Sequence, residues 1–152
     1  MEGLALRNVS PDHVDLQKLI RHLDQDLLQR YPQEEIFGLD FSDENISEVS
    51  FLVAYWNGIP VGCGAIKPYD KHSTELKRFF VEEPYRNKGI ARELLTELEM
   101  RAKSMNFRSM KLEAGEAQPE ALGFYRKHGY EAIDRFGPYQ DNESSVCLEK
   151  QL

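Results

Sequence analysis

Leu16, Leu19, Ile20, Leu23 and Leu27 recur at three- and four-residue intervals. That spacing lays them along one stripe of a helix. Ser10 reads as its N-cap and Pro11 as its first residue, where a missing N–H costs nothing. The helix is expected to end near Arg30, before Pro32. Ahead of it, "LALRNV" (4–9) reads as a short strand. Residues 31–49 carry no single period, and a short helix is expected after Ser42. "SFLVAYW" (50–56) is β-branched and aromatic, as strands are. Asn57-Gly58 follows, a hairpin signal because both positions of such a turn need positive φ, and "IPVGCGAI" (59–66) is the return strand. "TELKRFFV" (74–81) is a further strand. A second helical stripe then runs through Ala91, Leu94, Leu95, Leu98, Ala102 and Met105. "SMKLEA" (109–114) reads as a strand, and 119–128 as a helix opened by Pro119 and stopped by Gly129. "YEAIDRF" and "SSVCLEK" are the last strands, joined through "GPYQDNE". Strands and helices interleave, with one hairpin early and another late and no internal repeat. The pattern predicts one mixed-sheet α/β domain over residues 1–152.

Composition narrows this picture. The chain has 152 residues, 41% apolar and 30% charged, as in an ordinary globular domain. No apolar run is long enough to span a bilayer. The N-terminal "MEGLALRNVSPDHVD" lacks the basic start and apolar stretch of a signal peptide, so a cytoplasmic location is expected and no membrane partner. A net charge of −7 argues against nucleic acid as a partner. Cys63 and Cys147 are expected to be free buried thiols. The four histidines and two cysteines show no metal-ligand spacing, so no metal is expected.

One stretch carries candidate chemistry. "RNKGIAREL" (86–94) places Arg86, Lys88 and Arg92 around the start of a helix. Positive side chains at a helix N-terminus are mildly unfavourable unless an anion sits there. Two readings are open, a helix start with solvated charges or an anion site. A strand, a turn with Gly89 and a helix bring backbone N–H groups to one spot, and a residue without Cβ lets an oxygen approach. The order Lys88-Gly89 is not that of a Walker A loop, and no G-x-G-x-x-G is present.

Arg86-Asn87-Lys88-Gly89-Ile90-Ala91 resembles the R/Q-x-x-G-x-G/A signature of the GCN5-related N-acetyltransferases, the GNAT family. A second block, "QPEALGFYRKHGYEAI", resembles that family's later motif through Gln118, Ala121, Phe124, Tyr125, Gly129 and Tyr130. The likeness covers about residues 4–150 in element order and is sharpest over 74–130. It implies a mostly antiparallel central sheet, splayed in the middle and flanked by helices. It also implies acetyl-CoA as cosubstrate. Phe79, Phe80 and Val81 would line the pantetheine, while Arg86, Asn87, Lys88, Gly89, Ile90 and Ala91 would receive the pyrophosphate. Gln118 stands where the family commonly has asparagine, which puts that cofactor contact in question.

The resemblance further implies acetyl transfer to a primary amine of a small molecule or peptide. Tyr125 is the expected proton donor to the leaving thiolate, and the competing reading is simple packing. Glu75 is the expected base, direct or through water, and the competing reading is a solvated charge. Tyr31, Phe37 and Phe41, among Glu34, Glu35, Asp40 and Asp43, lie in the region that often borders the acceptor, as does the loop 136–145. Arg78 is a candidate holder of an acceptor carboxylate. A homodimer fits the family's habit. The alternative function is a non-catalytic coenzyme A sensor or interaction module of the same fold.

Overall fold

The structure is a computed structural model describing residues 2–152. In chain order the strands are β1 (Leu4–Val9), β2 (Ser50–Trp56), β3 (Ile59–Pro68), β4 (Ser73–Val81), β5 (Ser109–Gly115), β6 (Glu131–Ile133) and β7 (Ser145–Gln151). The helices are α1 (Val14–Leu28), α2 (Ile90–Ser104) and α3 (Pro119–Lys127). Among the described residues the strands form one seven-stranded sheet in the order β1-β2-β3-β4-β5-β7-β6. Only β4 and β5 run parallel, and β7 inserts between β5 and β6. The expected mixed, mostly antiparallel α/β sheet is therefore present. No helix among the described residues is long and apolar enough to cross a membrane.

Alternation along the strands divides the core between two faces. Leu94, Leu95, Leu98 and Ala102 of α2 pack on one face with Leu52, Ala54, Val61, Leu76, Met110 and Leu112. Leu16, Leu19, Ile20 and Leu23 of α1 pack on the other with Phe51, Val53, Cys63, Ala65 and Phe80. A smaller cluster joins Phe136, Tyr139 and Cys147. Both cysteines are free and buried, as expected. Asn57 and Gly58 have φ of 49° and 84°, the hairpin geometry their dipeptide predicts.

Three local expectations fail for identifiable reasons. Ser10 does not cap α1. Its hydroxyl donates to Asp12 Oδ1 (2.7 Å) and its carbonyl accepts the His13 N–H (3.1 Å), making a turn before the helix. His13 is the N-cap, its Nδ1 accepting the Asp15 N–H at 3.2 Å. Met105 does not continue the α2 stripe. It is the C-cap, and Asn106 at φ 69° then reverses the chain, leaving Met105 44% exposed. The strand expected over 130–136 pairs only from Glu131 to Ile133, because Phe136 turns inward to its own cluster.

The functional consequence of this topology lies between β4 and β5. Their ladder holds only Ser73, Thr74 and Glu75 against Ser109, Met110 and Lys111. Beyond that point β5 stays with β7, while β4 stays with β3. The β3–β4 register slips between Cys63 and Ala65, opposite Arg78 and Phe79, and Arg78 sits at φ 54°. A bulge adds twist and bends its strand. The strands therefore part, and a wedge opens mid-sheet.

Candidate active site

The wedge is the floor of a cleft of about 570 Å³. One end lies at the α2 N-terminus, lined by Arg86, Asn87, Gly89, Ala91 and Arg92. Gly89 is the N-cap at φ 87°, and Asn87 is also left-handed at φ 62°. The first helical bond runs from the Glu93 N–H to the Gly89 carbonyl at 3.2 Å. The N–H groups of residues 90–92 precede that bond and have no helical acceptor. Gly89 has no side chain to cap them. Converging free amides at the positive end of a helix dipole form an anion seat.

The side chains here depart from expectation. Arg86 turns back on the protein. Its Nε donates to the Val81 carbonyl (2.8 Å), its Nη2 lies 3.6 Å from Asp26 Oδ2, and its guanidinium stacks 5.5 Å over the Phe80 ring. Lys88 is exposed and does not line the cleft. Ile90 is 1% exposed and belongs to the core, so it offers the cleft its amide alone. Arg92, which the signature does not include, does line the cleft.

The walls are apolar. Phe79 and Phe124 stack at 6.1 Å, and Val81, Ala114 and Ala121 flank them. Phe80 borders the cleft as well and packs with the α1 face. Gln118 precedes α3, its Oε1 3.4 Å from the Tyr31 hydroxyl and 3.5 Å from the Gly115 N–H. It thus closes the loop between β5 and α3. Gly115 leaves room for the Tyr31 hydroxyl, which a Cβ there would overlap and displace.

Tyr125 projects from α3 into the cleft and is 8% exposed. Its hydroxyl makes no hydrogen bond to another described side chain. Burial, then the charge of Glu113, pushes that hydroxyl well above the ordinary tyrosine value. It is neutral and keeps its proton at physiological pH.

The far end of the cleft is polar and aromatic, with Tyr31, Glu35, Phe37, Lys77, Arg78, Glu113, Tyr139, Asn142 and Ser144 on its walls. Glu75 is not among them. It faces a neighbouring cavity of about 530 Å³ that shares Phe37, Lys77 and Tyr139 with the main cleft. Tyr139 donates a short hydrogen bond to Glu75 Oε2, Lys77 Nζ donates to the Tyr139 hydroxyl (2.8 Å), and Lys77 lies 3.7 Å from Glu75. Burial lowers the Lys77 ammonium from its usual value, partly offset by Glu75. Arg78 pairs with Asp24 on α1 at 2.7 Å, and its Nε is buried without a partner among the described residues. Phe41 stacks on Phe51 in the core, and Asp40 and Asp43 accept backbone N–H bonds from Ser42 and Asn45. Those three hold the 31–49 segment together and do not line the cleft.

Sequence reasoning does not reach Lys77 or Glu113, and it places Tyr139 and Ser145 only as members of the loop 136–145 beside the acceptor, a loop whose Tyr139, Asn142 and Ser144 do line the cleft. One signal points toward Lys77: "TELKRFFV" carries Glu75, Lys77 and Arg78 in what reads as a central strand, where charge is costly.

A donor set of free amides, an unpaired strand edge and apolar walls fits acetyl-CoA, an anionic diphosphate on a peptide-like arm. The fold and cleft define an acyl-CoA-dependent transferase. The model of the acetyltransferase (GNAT) family matches residues 15–130. An IAA acetyltransferase from Azospirillum brasilense is 34% identical over 153 residues, covering 100% of each chain. A crystal structure described as an acyl-CoA N-acyltransferase from Klebsiella pneumoniae superposes with a TM-score of 0.87 at 29% identity, covering 98% of this chain and 97% of that one. A GNAT family acetyltransferase from Elizabethkingia anophelis, solved with acetyl-CoA bound, shares the fold at a TM-score of 0.75 and 21% identity over 100% of both chains. The chain belongs to the GNAT acetyltransferase family and is an acetyl-CoA-dependent acetyltransferase.

Proposed function

We propose that this protein transfers the acetyl group of acetyl-CoA to a primary amine of a small molecule or peptide, with residues 1–152 acting as one domain. Tyr125 carries this reading: a neutral, unpartnered phenol stands in the gap between the parted strands. The amides of residues 90–92, exposed by the turn at Gly89, hold the diphosphate. The free edge of β4 beside Phe79 and Val81 pairs with the pantetheine arm. A backbone N–H of the bulged stretch at 78–79 stabilises the developing oxyanion.

The amine nitrogen forms a bond to the acetyl carbonyl carbon. The carbon–sulfur bond then breaks with its electron pair on sulfur, and Tyr125 gives that thiolate its proton. The surplus proton on nitrogen returns to the tyrosinate. Before attack an ammonium must lose one proton, to a side chain at the splay or to water. Glu75 lies behind Tyr139 and Lys77 and fixes both side chains through its contacts to them. The acceptor end, with Tyr31, Phe37 and Tyr139 beside Glu35 and Glu113, suits a cationic amine.

The test is an acceptor screen over amino acids, polyamines, aminoglycosides and peptides, read by free thiol released from acetyl-CoA. Release well above hydrolysis is expected for at least one amine class. Tight binding of acetyl-CoA with no release across the panel would overturn the amine reading in favour of a coenzyme A sensor of the same fold.

A further inference from the structure

Two carboxylates sit at the splay, and they differ in what they can reach. Glu75 is the last β4 residue paired with β5, opposite Lys111. Its carboxylate takes the Tyr139 hydroxyl, has Lys77 beside it, and opens only to the neighbouring cavity. Glu113 lies two positions beyond Lys111. The alternation of β5 puts both on one face, so Glu113 is the first side chain of that face past the point of parting. It lines the main cleft together with Tyr125. Ser145 donates to its Oε2 at 2.7 Å, which orients the carboxylate.

The charges of the cluster distinguish the two further. Arg78 is matched by Asp24, Lys111 by Glu149 at 3.1 Å, and Lys77 by Glu75. Glu113 has no ion-pair partner within the salt-bridge distance among the described residues. The groups whose charge couples to it are Glu75 and Lys77 on β4, Cys147 on β7, Tyr125 on α3, Tyr139 in the late loop and Tyr31 after α1. Except for Lys77, these are neutral or negative at physiological pH. A cation entering the cleft from the acceptor end therefore meets two half-buried carboxylates without an ion-pair partner among the described residues, Glu35 and Glu113. Glu35 takes the Ser144 hydroxyl at 2.5 Å in the segment after α1, and of the two only Glu113 stands on β5 at the splay, where its charge reaches Tyr125.

We infer that Glu113 receives the acceptor's ammonium and takes its proton, so that the substrates are amines that arrive protonated. This rests on the amine-acetylation reading. The nitrogen's proton passes to a Glu113 carboxylate oxygen, which frees the lone pair for attack on the acetyl carbon. Glu113 later gives that proton to solvent through the open cleft. Burial holds its carboxyl above the ordinary glutamate value, opposed by the Ser145 hydrogen bond and the Lys77 charge, which suits a proton acceptor near neutral pH.

The experiment compares wild type, Glu113→Gln and Glu75→Gln for kcat/KM against pH. The probes are lysine and spermidine, both protonated at pH 7, and hydroxylamine, which is neutral there. Acetyl-CoA binding by calorimetry reports whether each variant is folded and holds the donor. With the faster protonated probe, wild type should plateau above one inflection. Glu113→Gln should fall about a hundredfold or more at pH 7 and climb with pH as the free amine accumulates, closing the gap. With hydroxylamine, Glu113→Gln should stay within about threefold of wild type, because no proton has to be removed first. If Glu113→Gln keeps the wild-type profile, or Glu75→Gln alone acquires the rising one, the assignment is overturned. A Glu113→Gln variant that binds acetyl-CoA yet loses hydroxylamine turnover equally is also against it. If wild type binds acetyl-CoA and acetylates neither protonated probe but does acetylate hydroxylamine, amines that arrive protonated are excluded and the inference fails. Failure of wild type to bind acetyl-CoA is a different result, which strikes at the proposed function and not at Glu113.

Discussion

The two ends of the cleft are made of different materials. At the α2 end the contacts are main chain: free amides at residues 90–92, set by Gly89 at φ 87°. At the acceptor end they are side chains from five separate segments, contributed by Tyr31, Lys77, Glu113, Tyr125 and Tyr139. Backbone groups are the same in every sequence, so on the proposed reading the α2 end is a general grip that needs only the right turn. Side chains differ, so the acceptor end is where one chain's chemistry departs from another's.

If the division is real, variants at the two ends must fail differently. The largest effect is expected from Tyr125→Phe. It should lower kcat by about a hundredfold to ten-thousandfold while leaving acetyl-CoA affinity unchanged in calorimetry. Parallel losses in both would erase the distinction between grip and chemistry. Gly89→Val should show the reverse pattern. A β-branched residue in a left-handed conformation costs at least about 1–2 kcal/mol, so acetyl-CoA should bind roughly tenfold or more weakly. Thiol release at saturating donor should change little.

Stability sharpens the comparison from another side. Burial holds the Glu113 carboxyl higher in the folded chain than in the unfolded one. Its contribution to stability is then complete below the unfolded value and is lost as pH rises through the folded value. At pH 7 the desolvated charge is a net cost. Glu113→Gln keeps a hydrogen-bond partner for Ser145 and should raise Tm by about 2–4 °C for each kcal/mol relieved. At about pH 3, where both states are protonated, the gain should vanish. A lower Tm at pH 7 would make Glu113 a structural residue. The smallest effect separates two cations. Arg92→Ala should weaken acetyl-CoA binding by about 0.3–1 kcal/mol in a salt-dependent way, while Lys88→Ala should leave it unchanged.

The same contrast governs how much of the molecule is legible in its amino-acid sequence. Gly89 is legible because a helix onset, a turn and a missing Cβ act within a few residues. The α1 and α2 stripes are legible for the same reason, down to Leu16, Leu19, Leu94 and Leu98 at the centre of each face. The departures at Ser10 and Met105 fall at helix boundaries, where a turn competes with the helix for the same residues. The acceptor end is legible only in outline. Alternation puts Glu113 on the same face as Lys111, but nothing local states that β4 and β5 part after Glu75. That parting depends on a bulge opposite Cys63 and Ala65, a contact between strands far apart in sequence. The sequence pattern puts Glu75 on the correct strand, yet the Tyr139 hydroxyl that occupies it comes from a loop 64 residues away. Arg86 and Lys88 look alike in the signature, and only packing shows that one turns to Val81 and Asp26 and the other to solvent.

The central claim is that the main chain around Gly89 grips the diphosphate of acetyl-CoA. Titrating nitrogen-15-labelled protein with acetyl-CoA and following the backbone amides tests it most directly. The account predicts saturable shifts concentrated at residues 89–92 and along β4 from Phe79 to Val81, with the same changes in Lys88→Ala. Saturable binding that leaves those amides unmoved, with shifts clustered elsewhere, would contradict it.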